Sequence, residues 1–230
     1  LPGMALVRPQ LKPHEVVLRA PGMLALHLAI EAVEEPVRVH VWDDEVAAYD
    51  MGAVAAQWFS DFLGRRLRLV RFDPEQRRLS SLRWTGGVEA PNQFSDGYPL
   101  LVLGEASLGA LNERLAKQGH APVGIERFRP NVVLAGGEAH DEDRIEQLKI
   151  EAEGGPVVLK LVKPCPRCPI PDIDPATAET GTAVSDTLQS YRADPRLDGA
   201  ITFGMNAIVL EGEDRVLRVG QSVRGQWQFG

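Results

Sequence analysis

Short runs that alternate apolar with polar or basic residues recur along this chain, and that period of two restricts its architecture more than any other feature. LALHLAI (24–30) and VRVHVW (37–42) show it: every second side chain suits a buried face, the pattern of a half-buried strand. Pro21-Gly22 and Glu35-Pro36 punctuate these runs as turns, and residues 1–50 read as strands. Alternating or short apolar runs return at 66–73, 98–104, 131–134, 157–162, 201–210 and 215–219. Other stretches break the period. In MGAVAAQWFSDFLG (51–64), Ala55, Trp58, Phe59 and Phe62 fall on one helical face and Gly64 stops it. In EASLGALNERLAKQG (105–119), Leu108, Leu111 and Leu115 share a face that Gly119 ends. A further helix is expected around 182–192. The polar segment 74–98, rich in Gly, Ser and Arg, reads as a loop or boundary. Many short strands with few helices predict a mainly β (α+β) fold, barrel-like with helical insertions.

The 230 residues suffice for one large domain or two small ones. A formal net charge of −7 argues against a general nucleic-acid binder, which needs a positive surface. No apolar run reaches the roughly 18 residues that span a bilayer, so no membrane partner is expected, and no signal peptide is read at the start. The chain opens on Leu1 rather than Met, which suggests a fragment or a processed chain.

Both cysteines, Cys165 and Cys168, lie in KPCPRCPIPDIDP (163–175), stiffened by Pro164, Pro166, Pro169 and Pro171. A bridge between them would close too small a loop to stabilise much. They read as chemistry, and free thiols suggest a reducing compartment, the cytoplasm. Arg167 and Lys163 favour the thiolate and are expected to lower the thiol pKa. Four readings stand side by side. A zinc half-site lacks nearby ligands, since the five histidines are scattered. A thioredoxin-like pair is opposed by Pro169 and Pro171, which block a helix after Cys168. A buried structural pair is the third, and one reactive or metal-ligating cysteine the fourth. In ERFRPNVVLAGGEAHDEDRIEQL (126–148), Arg127, Arg129 and Asn131 could grip a phosphate or carboxylate; the arginines could equally form surface ion pairs. FSDGYP (94–99), with Asp96 and Gly97, is by itself an ordinary turn.

Taken in order, FSDGYPLLVLGEASLGALNERL, RFRPNVVL, KPCPRCPIPDIDPATAE, FGMNAIVLE and RVLRVGQSV resemble the MOSC family, the molybdenum-cofactor sulfurase C-terminal domain, over about residues 90–225. The RPN and CxRC…DxDP pieces are the most specific. The likeness is to the bacterial hydroxylaminopurine-resistance and mitochondrial amidoxime-reducing type. Upstream, 37–72 resembles the later half of the β-rich domain that accompanies it. The resemblance implies a partial N-terminal β-barrel domain over 1–75 and a MOSC β-barrel over 76–230.

It also implies a molybdenum–molybdopterin cofactor between the two domains. Cys168 would coordinate the metal and carry catalysis, and Arg167 would touch the cofactor. Arg129 and Asn131 would meet its phosphate or pterin, and Asp96, Gly97 and Tyr98 would line the site. Cys165 is left a supporting or structural place. The implied reaction is two-electron reduction of small N-hydroxylated compounds: hydroxylamines, N-hydroxylated bases and amidoximes. Two cysteines cannot hold an iron–sulfur cluster and no flavin motif is visible, so electrons would come from an external protein of flavin-reductase or ferredoxin/cytochrome type. Alternatives are a cofactor or sulfur carrier without turnover, or a structural domain that binds no cofactor; at family level only, pyridoxal phosphate binding is also implied. Two departures matter. Met205 stands in FGMN where the family often has FGQN, so a polar contact is expected to be missing. Relatives carry several dozen more residues first, including a PVKS-like segment, so cofactor binding by this chain is expected to be weak or absent.

Overall fold

The structure, a computed structural model, describes residues 1–32 and 35–228. It divides into two compact units, Leu1–Arg78 with Ile173–Thr180, and Leu79–Asp172 with Gly181–Gly230.

In the first unit, β1 (Arg8–Leu11), β2 (Glu15–Arg19) and β3 (Leu26–Ala29) form one antiparallel sheet. β4 (Pro36–Val41), β5 (Asp44–Asp50) and, after helix α1 (Gly52–Leu63), β6 (Val70–Phe72) form another. The apolar stripe of α1 behaves as its spacing predicts. Ala55 and Trp58 are buried with Leu18 and Leu26, Phe59 packs beside them, and Trp58 Nε1 donates to Leu24 O at 2.7 Å. Gly64, at φ 64°, ends the helix in the left-handed conformation a glycine adopts freely. Arg8 Nη2 donates to Pro175 O at 2.7 Å, holding the 173–180 segment in this unit.

The second unit holds α2 (Leu82–Thr85), β7 (Leu100–Gly104), α3 (Glu105–Lys117), β8 (Val132–Leu134), β9 (Ile145–Ile150), β10 (Val157–Pro166), α4 (Ala183–Gln189), β11 (Ala193–Asp194), β12 (Ala200–Glu211) and β13 (Val223–Trp227). The main sheet runs β13-β9-β10-β12-β7-β8, with β11 paired to β12. Only the β7–β8 pair is parallel among these. The sheet curls into a half-barrel, so the fold is mainly β with helices. Helix α3 starts over the buried carboxylate of Glu142, which accepts from Gly104 N (3.2 Å) and Ser107 Oγ (2.7 Å). An anion there suits the positive end of a helix.

Two apolar clusters fill this unit, one containing Met205, Val102 and Leu161, the other Phe203, Phe128, Leu103 and Leu111. Phe203 and Met205 are two apart on one strand, so regular alternation would place them on the same face. Gly204, at φ 79°, and the register shift between Pro164 and Pro166 resolve this. The extra residue of a bulge turns the strand and sends the two side chains into different clusters. A Cβ on Gly204 would lie 2.8 Å from Val102 O. Gly204→Ala is therefore expected to destabilise by about 2–4 kcal/mol, from left-handed strain plus backbone overlap, read as a lower urea midpoint.

Three expectations need correction. The run 215–219 is irregular, with Val216 and Val219 exposed, and the last strand starts at Val223. The segment Ile145–Ile150 is a strand that alternation did not reveal. Finally, β10 does not give way to a loop at Lys163 but continues through Pro164 and Cys165 to Pro166. Prolines are tolerated there because β9 pairs with β10 only as far as Lys160, and a strand without a neighbour has no use for the missing N–H. Arg167 N still donates to Ile201 O at 2.8 Å. Counting back by twos places the nitrogens of Pro164 and Pro166 on the opposite, unpaired side.

Candidate functional site

The end of β10 delivers Arg167 and the two cysteines to one edge of the second unit. Arg167 Nη2 donates to Phe128 O at 3.0 Å, its Nη1 to Cys165 Sγ at 3.2 Å, and its guanidinium lies 5.6 Å from the Phe128 ring centroid. All three partners are uncharged. The Nε of Arg167 is buried with no hydrogen-bond partner. A partly buried guanidinium held only by neutral groups, with one buried donor idle, is suited to receive an anion.

Cys165 is partly buried and Cys168 exposed, both as free thiols. The expectation that basic neighbours lower the thiol pKa fails for Cys165. Burial pushes it up; Arg167 pulls it down but does not prevail, and the charges of Asp96 and Cys168 push it further up. Cys165 is thus a protonated acceptor for Arg167, and Asp96 and Cys168 lie close enough to act on it. No α-helix opens at Cys168; the chain makes a single 3-10 turn at Ile170–Asp172. Among the described residues, no group of three or more His, Cys, Asp or Glu is placed to hold a metal ion.

The RPN segment sits beside this edge. Arg127 Nη1 donates to Pro171 O at 3.2 Å. Arg129 is exposed; its backbone N donates to Glu126 O at 3.3 Å, while its guanidinium has no hydrogen bond or ion pair among the described residues, and its φ of 57° is unusual for a side chain of its size. Asn131 does structural work: its Oδ1 accepts from Leu101 N at 2.8 Å while its own N donates to Leu101 O at 2.9 Å, fastening the start of β8 to β7. In the FSDGYP turn Asp96 is exposed and Gly97 faces open space. Tyr98 is half-buried, its phenol pushed up by burial and pulled back only partly by a hydrogen bond with Ser81. The first aspartate of DxDP, Asp172, is buried; its Oδ1 accepts from Val184 N and Ser185 N, both at 3.1 Å, capping α4. Met205 points into the apolar cluster with Val102, so the expected polar gap is filled by packing.

Sequence reading missed Phe128, Trp84 and Asn206. Phe128 O anchors Arg167. Trp84 lies under Lys163 Nζ, 5.4 Å from it, in the segment read as a loop; a lone Trp among polar residues was the available signal. Asn206 pairs with Lys163 across β10–β12 and is left half-buried.

Behind the edge an aromatic layer runs inward. Phe128 meets Phe203 (4.7 Å between centroids), Phe203 meets His140 (6.1 Å), and His140 meets Tyr191 (5.7 Å). Both ring nitrogens of His140 are buried without partners. Burial, helped by the charges of Arg192 and Arg114 against that of Asp143, holds its pKa below the ordinary 6.5. The unfolded chain therefore takes this proton more readily, and stability falls as pH drops below about 6.5. His140→Asn, which tolerates the φ of 67° at this site, is expected to flatten that slope in urea midpoints taken between about pH 7.5 and 5.5.

The MOSC domain family matches residues 89–224, and the MOSC N-terminal beta barrel domain family matches residues 1–66. The chain belongs to the MOSC family. It is 34% identical over 198 residues to mitochondrial amidoxime reducing component 2 of Bos taurus, covering 83% of this chain and 56% of that protein. With mitochondrial amidoxime-reducing component 1 of Mus musculus it shares 37% over 173 residues, 74% of this chain and 48% of the other. With the molybdenum cofactor sulfurase of Oryza sativa subsp. japonica it shares 30% over 220 residues, 89% of this chain and 25% of that one. The chain thus spans about half the length of the amidoxime-reducing relatives it matches. Among the described residues no helix is long and apolar enough to cross a membrane.

Proposed function

We propose that this chain forms the cofactor-holding part of a molybdenum-dependent reductase of N-hydroxylated compounds, supplied with electrons by a separate donor protein. The observation that carries it is the exposed Cys168 thiol one residue from Arg167, a guanidinium whose partners are neutral and whose Nε is buried and idle. Those residues fit an anionic, sulfur-ligated metal group. Its relatives' names, amidoxime-reducing components and a molybdenum cofactor sulfurase, point the same way.

In this reading Cys168 is the soft thiolate ligand to molybdenum. Arg167 and the exposed Arg129 would take the anionic oxygens of the pterin group, with Asn131, two residues on from Arg129 and tied to Leu101, as its companion. Asp96, Gly97 and Tyr98 line the approach. The cofactor, when bound, supplies the two-electron couple, while the chain orients it and tunes its surroundings. The reduction takes two electrons and two protons and releases the hydroxyl as water; Tyr98, kept protonated by burial, is a phenol able to hold one proton nearby. The same proposal takes residues 1–75 as the accompanying N-terminal domain, 76–230 as the MOSC domain, and the cytoplasm as the compartment.

Elemental molybdenum per chain in the full-length gene product, with anaerobic reduction of benzamidoxime by an artificial donor, tests it. Near-stoichiometric metal with turnover is expected; no metal overturns it. The match to a sulfurase favours a second reading, a carrier of cofactor or of persulfide sulfur on Cys168. Tight cofactor binding without turnover, or a persulfide transferable to an acceptor, would select that instead. Arg129→Ala is expected to cut cofactor occupancy about tenfold or more, since a charge-assisted bond contributes about 1.5–3 kcal/mol; unchanged occupancy in metal analysis returns Arg129 to the surface.

A further inference from the structure

We propose that Lys163 is an anion-binding subsite beside Cys168, taking a carboxylate or phosphate oxygen of a bound ligand. The placement of that subsite in a reductase rests on the reading above. Lys163 precedes Cys165 by two residues on β10, so the two share a face, opposite the buried Pro164. Its Nζ lies 5.4 Å from the Trp84 ring centroid and 6.0 Å from that of Tyr98. Both rings belong to segments that border the candidate site, α2 and the FSDGYP turn.

Two aromatic faces offset part of the cost of drawing an ammonium out of water. They accept no conventional hydrogen bond, so its three N–H donors stay available. Among the described residues Lys163 Nζ has neither a hydrogen-bond acceptor nor an ion-pair partner. Lys160, three residues earlier on the same strand, makes the contrast: its Nζ donates to Thr85 O at 3.1 Å. Arg83, whose guanidinium lies 5.7 Å from the Trp84 ring centroid, adds a second positive charge to that ring's surroundings. An ammonium held in place by rings and left without a counter-charge is preorganised for an anion that arrives with a ligand.

The anion has two chemical sources, an acidic group on the substrate or the phosphate of the pterin cofactor. Titration of the cofactor-free chain with 4-carboxybenzamidoxime and with phenyl phosphate, against neutral benzamidoxime, reads the subsite directly through the NMR signals of Lys163 Nζ and the Trp84 indole. Both anions are expected to shift these signals saturably, and Lys163→Met to weaken them about tenfold, with Lys163→Arg restoring part. In loaded protein, a loss of preference for the carboxylated amidoxime over benzamidoxime in Lys163→Met, with molybdenum content kept, assigns the anion to the substrate. Loss of molybdenum and pterin assigns it to the cofactor. Anions that bind wild type no better than benzamidoxime overturn the proposal. A loaded wild type that reduces no amidoxime overturns the reductase reading, while the cofactor-free titration still decides the subsite.

Discussion

Cys168→Ser is expected to abolish benzamidoxime reduction by loaded protein and to shift the metal's absorption, while the thermal midpoint stays within about 2 °C of wild type. The side chain is exposed, so the fold has little stake in it. A molybdenum held as proposed would have much: serine offers a hard oxygen of high pKa where a soft thiolate is wanted. Cys165→Ser makes the control. There the sulfur accepts from Arg167 at 3.2 Å, and a hydroxyl oxygen accepts equally well, so activity should fall far less. Equal losses in the two variants, measured as kcat/KM at matched metal content, would sink the assignment of a single ligand.

The largest structural effect is expected from Phe203→Ala, about 3–5 kcal/mol by the usual cost of emptying an aromatic site in a core. Phe203 is fully buried and its ring leans on Phe128, whose carbonyl holds Arg167. The cavity should let Phe128 move, so cofactor occupancy is expected to fall with the urea midpoint. A lower midpoint with full molybdenum content would show that the aromatic layer supports the fold without positioning the guanidinium.

What could be read from the sequence was whatever repeats or is local. Helix α1 announced its buried face through Ala55 and Trp58, and β4 its alternation. Strand β9 hid because Ile145, Leu148 and Ile150 are spaced three and then two, a broken period. β13 hid for another reason: all five residues are exposed, so it buries neither face and is held by its ladder to β9. The 215–219 run misled because apolar residues there face solvent. At the site, motif resemblance nominated Cys168, Arg167 and Arg129. It could not reveal that Arg167 reaches back 39 residues to Phe128, or that Lys163 lies over Trp84, since neither contact leaves a local pattern.

The prolines at the end of β10 have a use beyond stiffness. Past Lys160 that strand loses its β9 neighbour, and an unpaired ledge of peptide groups is where a stray chain can add itself. With the nitrogens of Pro164 and Pro166 turned to that side, the ledge offers carbonyls but lacks the donors a growing ladder needs. The thiols can therefore stand at an open rim without that rim seeding aggregation.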